Sequence, residues 1–146
     1  MSTTFTPCPT TGRAPVSAAR ARAVAGYRNL SLWTLQGWTA MFFFAAGYAK
    51  LTEPLDNLVA LMNWPALVSE NLVRGVGIVE IVLALGMLAP LMSWKLGRWP
   101  LLISAAGLTA LEIVMLSVHA AGLDIGLALT NVALLAITIP VLLGRR

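Results

Sequence analysis

The sequence predicts an all-α membrane protein, an antiparallel four-helix transmembrane bundle. Three observations carry that prediction. The composition is 58% hydrophobic and 11% charged, with a mean hydropathy of +0.81, far from the roughly quarter-charged balance of water-soluble domains. Four segments of about twenty mostly apolar residues stand out, the length a helix needs to cross a hydrocarbon core roughly 30 Å thick. The links joining the second, third and fourth segments are too short for anything but antiparallel neighbours.

Residues 1–31 are rich in Ser, Thr, Pro and Ala, carry Arg13, Arg20, Arg22 and Arg28, and hold no acid. They read as a flexible basic cytoplasmic leader, disordered at first. Val16 to Leu30 can form a short helix on an anionic membrane surface, where each basic residue contributes on the order of 1 kcal/mol. A mitochondrial presequence shares this composition. A cleaved secretory signal fits poorly, because the apolar stretch that follows is full spanning length and has no A-x-A site at its end.

The transmembrane domain is expected over residues 32–144. Its first span, 32–50 (LWTLQGWTAMFFFAAGYAK), has Trp33 and Trp38 near its start and Tyr48 near its end, as interfacial anchors. Met41 to Phe44 reads as a packing or lipid-facing surface. An acidic connection follows, with Pro54 and Pro65 and a short interfacial helix across Leu58 to Met62. The second span, 72–91, closes at Pro90 and leads into a basic turn, SWKLGRWP, whose Trp94 and Trp99 mark an interface. The third, 100–121, starts with Pro100, where a missing N–H costs nothing, and ends at Gly122. The fourth, 124–143, opens with Asp124, suited to a helix N-terminus, and stops at Gly144.

Lys and Arg placement sets the expected orientation. Arg13, Arg20, Arg22, Arg28, Lys95, Arg98, Arg145 and Arg146 fall on one side, and only Lys50 and Arg74 on the other. Both termini are therefore expected in the cytoplasm, with the chain in the cytoplasmic (inner) membrane. The formal charge of +4 comes from residues flanking apolar segments; no basic patch interleaved with aromatics points to nucleic acid. The single cysteine, Cys8, excludes an intramolecular disulfide or a CxxC pair. No Gly-rich phosphate loop, Ser-His-Asp set or H-E-x-x-H motif is present, so the chain has no self-contained catalytic motif.

Ionisable groups at membrane depth cost about 2.5 to 3.5 kcal/mol each and call for an explanation. Glu80 and Glu112 lie at matching depth, on the order of 12 Å below the outer surface. Glu80 shares a stripe with Val73, Gly77, Ala84 and Met87. Glu112 shares one with Leu108, Met115 and His119, and Asp124, Asn131 and Thr138 repeat every seven residues on the fourth helix. Gln36, Gly47 and Lys50 align on the first. The helices thus send polar groups into one outward-opening chamber. Two carboxylates there cannot both stay charged without a cation or strong donors; Arg74, His119 and Lys50 are the candidate partners. Arg74 sits about 240° around its helix from Glu80, so it is expected to pair across helices or to snorkel. A pairing within its own helix is not favoured.

Three readings of the cluster stand open. Glu80, Glu112, Asn131 and the rim cations form a network that only sets helix register; or they form a small-ligand, quinone or proton-handling site; or Glu80, Glu112 and His119 hold a divalent metal, for which the spacing is not diagnostic. Haem is disfavoured, since His119 is the sole histidine.

In order, LQGWTAMFFFAAGYAKLTEP, LMNWP, RGVGIVEIVLALGMLAP, His119 and Asn131 make the chain resemble the DoxX-like family of small four-helix membrane proteins, over about residues 32–143. The resemblance implies the same fold, with Lys50, Glu80 and the other outer-half groups at the family's polar positions. The family's name comes from a subunit associated with a thiosulfate:quinone oxidoreductase, and other members are linked to oxidative stress. It therefore suggests an accessory subunit or a binder of a small lipophilic ligand, a quinone among the candidates, beside a partner membrane or periplasmic redox subunit. A redox role here would need such a partner or a bound quinone, because the spans carry no cysteine. The alternatives are a purely structural anchoring subunit and a small proton-coupled carrier, for which no inverted repeat or broken helix is visible.

Overall fold

The computed structural model describes residues 16–146; Cys8 and Arg13, with the expected disorder at the start of the leader, lie outside them. The described residues form five α-helices and no strand: α1 (Val16–Thr52), α2 (Leu55–Met62), α3 (Glu70–Leu88), α4 (Trp94–Ala121) and α5 (Ile125–Gly144). Two 3-10 turns, Trp64–Leu67 and Ala89–Leu91, complete the chain. Contacts divide it into two units, residues 1–31 and residues 32–146. In the first, the described residues are helical and Arg20, Arg22 and Arg28 are exposed. Everything below concerns the second.

Three stretches are long and apolar enough to cross a membrane: Glu70–Leu91, Trp94–Ala121 and Ile125–Gly144. The other segment expected to span, 32–50, is helical within α1 but is not among these three. It is diluted by Thr34, Gln36 and Thr39, and of these Gln36 and Thr39 are buried.

The helices pack through residues without bulk. Gly47 of α1 meets Gly77 of α3 so closely that a Cβ on Gly47 would lie 2.6 Å from the Gly77 carbonyl oxygen. Only a missing side chain allows that approach. Gly86 of α3 faces Ser104 of α4, and Gly144 of α5 faces Leu32 of α1. Ala40, Phe43, Ala84, Met87, Leu101, Ala105, Leu108 and Val141 then form one core drawn from α1, α3, α4 and α5. Phe43 is buried while Phe42 and Phe44 are exposed, so one ring of the Phe run packs inward and its neighbours face out. A second core, Leu58, Trp64 and Val73, sits under α2.

Gln36 and Thr138 are two of the buried polar side chains that bond to backbone. Gln36 Nε2 donates to the Met87 carbonyl at 2.6 Å, a last-turn acceptor of α3 that has no helical donor beyond it. Thr138 donates to Leu134 of its own helix. Arg145 packs against a pair of touching indoles, its guanidinium carbon 4.8 Å from the Trp33 ring and 5.2 Å from that of Trp94, whose centroids are 6.3 Å apart.

One expected boundary moves. The third span begins at Trp94, and Pro100 lies inside α4, where its missing N–H leaves the Leu96 carbonyl without its helical partner. The basic SWKLGRWP stretch reads as a turn from its charge, yet Lys95 and Arg98 extend into solvent from a helical first turn, and Trp94 is anchored by Arg145. At the other end of α4, Gly122 has φ −79°, and the left-handed residue is Leu123, φ 55°. Asp124 N then donates back to His119 O at 3.0 Å, which is the bond that closes this kind of helix end.

Candidate functional site

Two glycines and two charges form a single construction. Gly47 and Lys50 are one turn apart on α1, and Gly77 and Glu80 one turn apart on α3. A Cβ on Gly77 would lie 2.9 Å from Lys50 Cβ, and one on Gly47 would lie 3.2 Å from Glu80 Cβ. Each glycine thus makes room for the other helix's charged residue. Lys50 Nζ donates to both Glu80 oxygens, at 2.9 and 2.8 Å, and the two side chains are 5% and 7% exposed. Desolvating such a pair is costly, and removing one partner alone strands a charge, at about 3–5 kcal/mol.

Arg74 is not part of that arrangement. It bonds Glu70 one turn earlier on its own helix, the pairing the sequence reading disfavoured, and it donates to the carbonyls of Lys50 and Glu53. The reason is geometric. α1 ends beside Arg74, so the guanidinium satisfies carbonyls that the helix end leaves open, and Glu70 stands at the i−4 position that favours an ion pair. Arg74 therefore holds the end of α1 that carries Lys50 and does not line the cavity.

Lys50 and Glu80 form part of the wall of a cavity of about 250 Å³ that also meets Glu112 and His119 of α4 and Asn131 of α5. The rest of its lining is apolar, notably Phe42, Phe43, Trp64, Met115 and Leu134. Leu61, Met62 and Trp64 bring α2 and the following turn to the cavity. Asn63 Nδ2 donates to Asp124 Oδ2 and ties this segment to the junction of α4 and α5. Asp124 makes no side-chain cap to α5; its carboxylate serves this tie instead. Among the six residues singled out in the sequence, Lys50, Glu80, Glu112, His119 and Asn131 converge and Arg74 does not.

The polar groups differ in how they are satisfied. Asn131 Nδ2 donates to Leu127 O, one turn back on α5, at 3.0 Å. Glu112, 4% exposed, has a buried Oε2 that no donor among the described residues reaches, and it lies within electrostatic range of Lys50 and Glu80. Among the described residues no three His, Cys, Asp or Glu side chains gather closely enough to hold a metal ion; Glu80 is occupied by Lys50. Of the aromatic and methionine lining the sequence places Met115 on the stripe of Glu112 and His119, whereas Trp64 reads as part of a loop and Phe42 as one ring in an apolar run.

A family model described as the DoxX-like family matches residues 34–141. No curated protein and no solved structure matches the chain.

Proposed function

This chain belongs to the DoxX-like family, and from that premise we propose that it binds a small lipophilic molecule in the cavity bounded by Lys50, Glu80, Glu112, His119 and Asn131. It is an integral, multi-pass membrane protein; Glu70–Leu91, Trp94–Ala121 and Ile125–Gly144 are each long and apolar enough to cross. In our reading the 32–50 segment of α1 is a fourth span and the four form an up-down bundle. The termini lie in the cytoplasm and the cavity in the outer half of the inner membrane.

The observation that carries the proposal is Glu112. A bundle that needed only a register-setting network would be served by the Lys50–Glu80 pair, whose members satisfy one another. Glu112 has no such partner among the described residues, and it faces a cavity whose other walls are mostly aromatic and aliphatic. A buried group left unsatisfied costs about 1–3 kcal/mol or more, a cost that a ligand's polar head would remove. The cavity, about 250 Å³, exceeds the ~150 Å³ of an apolar cavity that takes one benzene ring, and so has room for one substituted ring with its tail directed elsewhere. A quinone-type ring fits that description and would make the protein an accessory subunit of a membrane redox system, with the electrons supplied by a partner.

The test is purification of the full chain in mild detergent, followed by mass spectrometry of the lipid extract and a search for associated subunits. Glu112→Gln should lose the co-purifying molecule while folded yield stays near wild type. Wild-type protein carrying neither ligand nor partner would sink the proposal, as would a Glu112→Gln variant that retains its full complement. Glu80→Gln is the wrong probe, because it breaks the buried pair and lowers yield under either reading.

A further inference from the structure

The cavity is roofed at its outer end and open to one side. Among its wall residues Glu80, Glu112, His119 and Asn131 are buried, whereas Phe42 of α1, Leu61 of α2 and Thr130 of α5 are exposed. No exposed wall residue comes from α3 or α4, so the opening lies between α1 and α5, with Leu61 at its outer edge. The same two helices touch at their other ends, where a Cβ on Gly144 would lie 2.7 Å from Leu32 Cδ2; the opening parts them further along. Over it, Trp64 and Pro65 are buried, Leu58, Trp64 and Val73 share a core, and Asn63 is bonded to Asp124, so α2 and the turn after it form the roof.

Depth decides what the opening meets. Phe42 and Thr130 lie roughly 8–15 Å inside the outer ends of α1 and α5 at 1.5 Å per residue, and with 32–50 as a fourth span that depth falls in the hydrocarbon of the outer leaflet. The rim suits an alkyl chain. Phe42 offers a ring and Leu61 an aliphatic group, and the Thr130 hydroxyl donates to Gly126 O at 3.1 Å, so it holds no donor out to the lipid. A ring fills most of a cavity of about 250 Å³, since one of ~150 Å³ already holds benzene. A long tail attached to that ring has to leave, and this gap is its apolar exit.

We propose that the cavity is loaded sideways from the outer leaflet through the gap between Phe42 and Thr130, and that its ligand is a single-tailed, lipid-dissolved molecule whose head lies against Glu112 while its tail stays out among the acyl chains. The proposal rests on the reading that the cavity binds a small lipophilic molecule.

Equilibrium binding to the full chain in lipid nanodiscs tests it with two probes, a benzoquinone carrying a decyl tail and the same ring carrying a methyl group, each at a known mole fraction in the bilayer. Thr130→Trp puts an indole in the gap. It should weaken the decyl probe at least about tenfold, the effect of overpacking the tail's exit, and the methyl probe by no more than about twofold. Val114→Trp, at similar depth on α4 where Val114 is exposed and lines no part of the cavity, should leave both near wild type. A monodisperse elution profile and an unchanged helical signal verify folding of both variants. On wild type, a decyl probe with a diazirine near the ring end of its tail should attach on illumination to Phe42, Thr130 or their neighbours on α1 and α5, and excess untagged probe should prevent it. Attachment confined to α2, α3 or α4 would overturn lateral entry, as would a Thr130→Trp variant that weakens both probes equally or neither. If the methyl probe binds wild type and the decyl probe does not, the cavity admits no tail and the proposal fails while the lipophilic site stands. If neither probe binds wild type, the underlying reading itself fails.

Discussion

Replacing Gly47 by alanine should separate α1 from α3 and loosen the buried ion pair beside it. The added Cβ would stand 2.6 Å from the Gly77 carbonyl oxygen and 2.9 Å from Ile81 Cγ1. The first obstacle is backbone and cannot rotate away, so the helices must part by about 0.8 Å to restore ordinary van der Waals contact. Lys50 Nζ, now 2.8 and 2.9 Å from the Glu80 oxygens, would then sit past the outer limit of a hydrogen bond unless its side chain re-extends. Overpacking of this kind costs about 1–3 kcal/mol. The control lies ten residues earlier on the same helix, where a Cβ on Gly37 meets nothing within 4 Å. Both substitutions gain the same helix propensity, up to about 1 kcal/mol, so the difference between them isolates the strain. Unfolding in mixed micelles should show Gly47→Ala less stable than Gly37→Ala by about 1–3 kcal/mol. Equal stability of the two would refute the close-approach argument and its link to the ion pair.

Three further outcomes follow from the same coordinates. Lys50→Met and Glu80→Met should each destabilise by about 3–5 kcal/mol, while the double variant recovers much of the loss because no charge is stranded; strictly additive unfolding energies would show that the two residues are not coupled. Arg145→Ala should cost about 1–2 kcal/mol through the lost stacking on Trp33 and Trp94, and Arg145→Lys should restore only part of it, since an ammonium lacks the planar face; a thermal melt of Arg145→Ala that overlays wild type would contradict this. Leu123→Gly should raise stability by about 1 kcal/mol, because Leu123 holds φ 55° with 85% of its surface exposed and glycine takes that conformation without a Cβ clash; a less stable variant would mean that the Leu123 side chain contributes more than its exposure indicates.

The sequence by itself determined what depends on spacing along one helix. Apolar length marked four stretches, three of which are helices long and apolar enough to cross a membrane, and the seven-residue intervals between Glu112 and His119, and between Asp124, Asn131 and Thr138, put those groups on common faces, because two turns of helix return a side chain nearly to its starting azimuth. That is why Glu112 and His119 of α4 reach the same cavity as Asn131 of α5. What the tertiary structure decided are the questions of distance between helices. Lys50 takes Glu80 because Gly47 and Gly77 let two backbones approach, a fact carried by the absence of atoms and invisible to hydropathy. Arg74 turns to Glu70 and to the open end of α1, since that end happens to finish within its reach. Trp33 and Trp94 read as membrane anchors in isolation, yet they pair with each other and hold Arg145 from the far end of the chain. Local periodicity says which way a side chain points; only the packing of one helix on another says what it finds there.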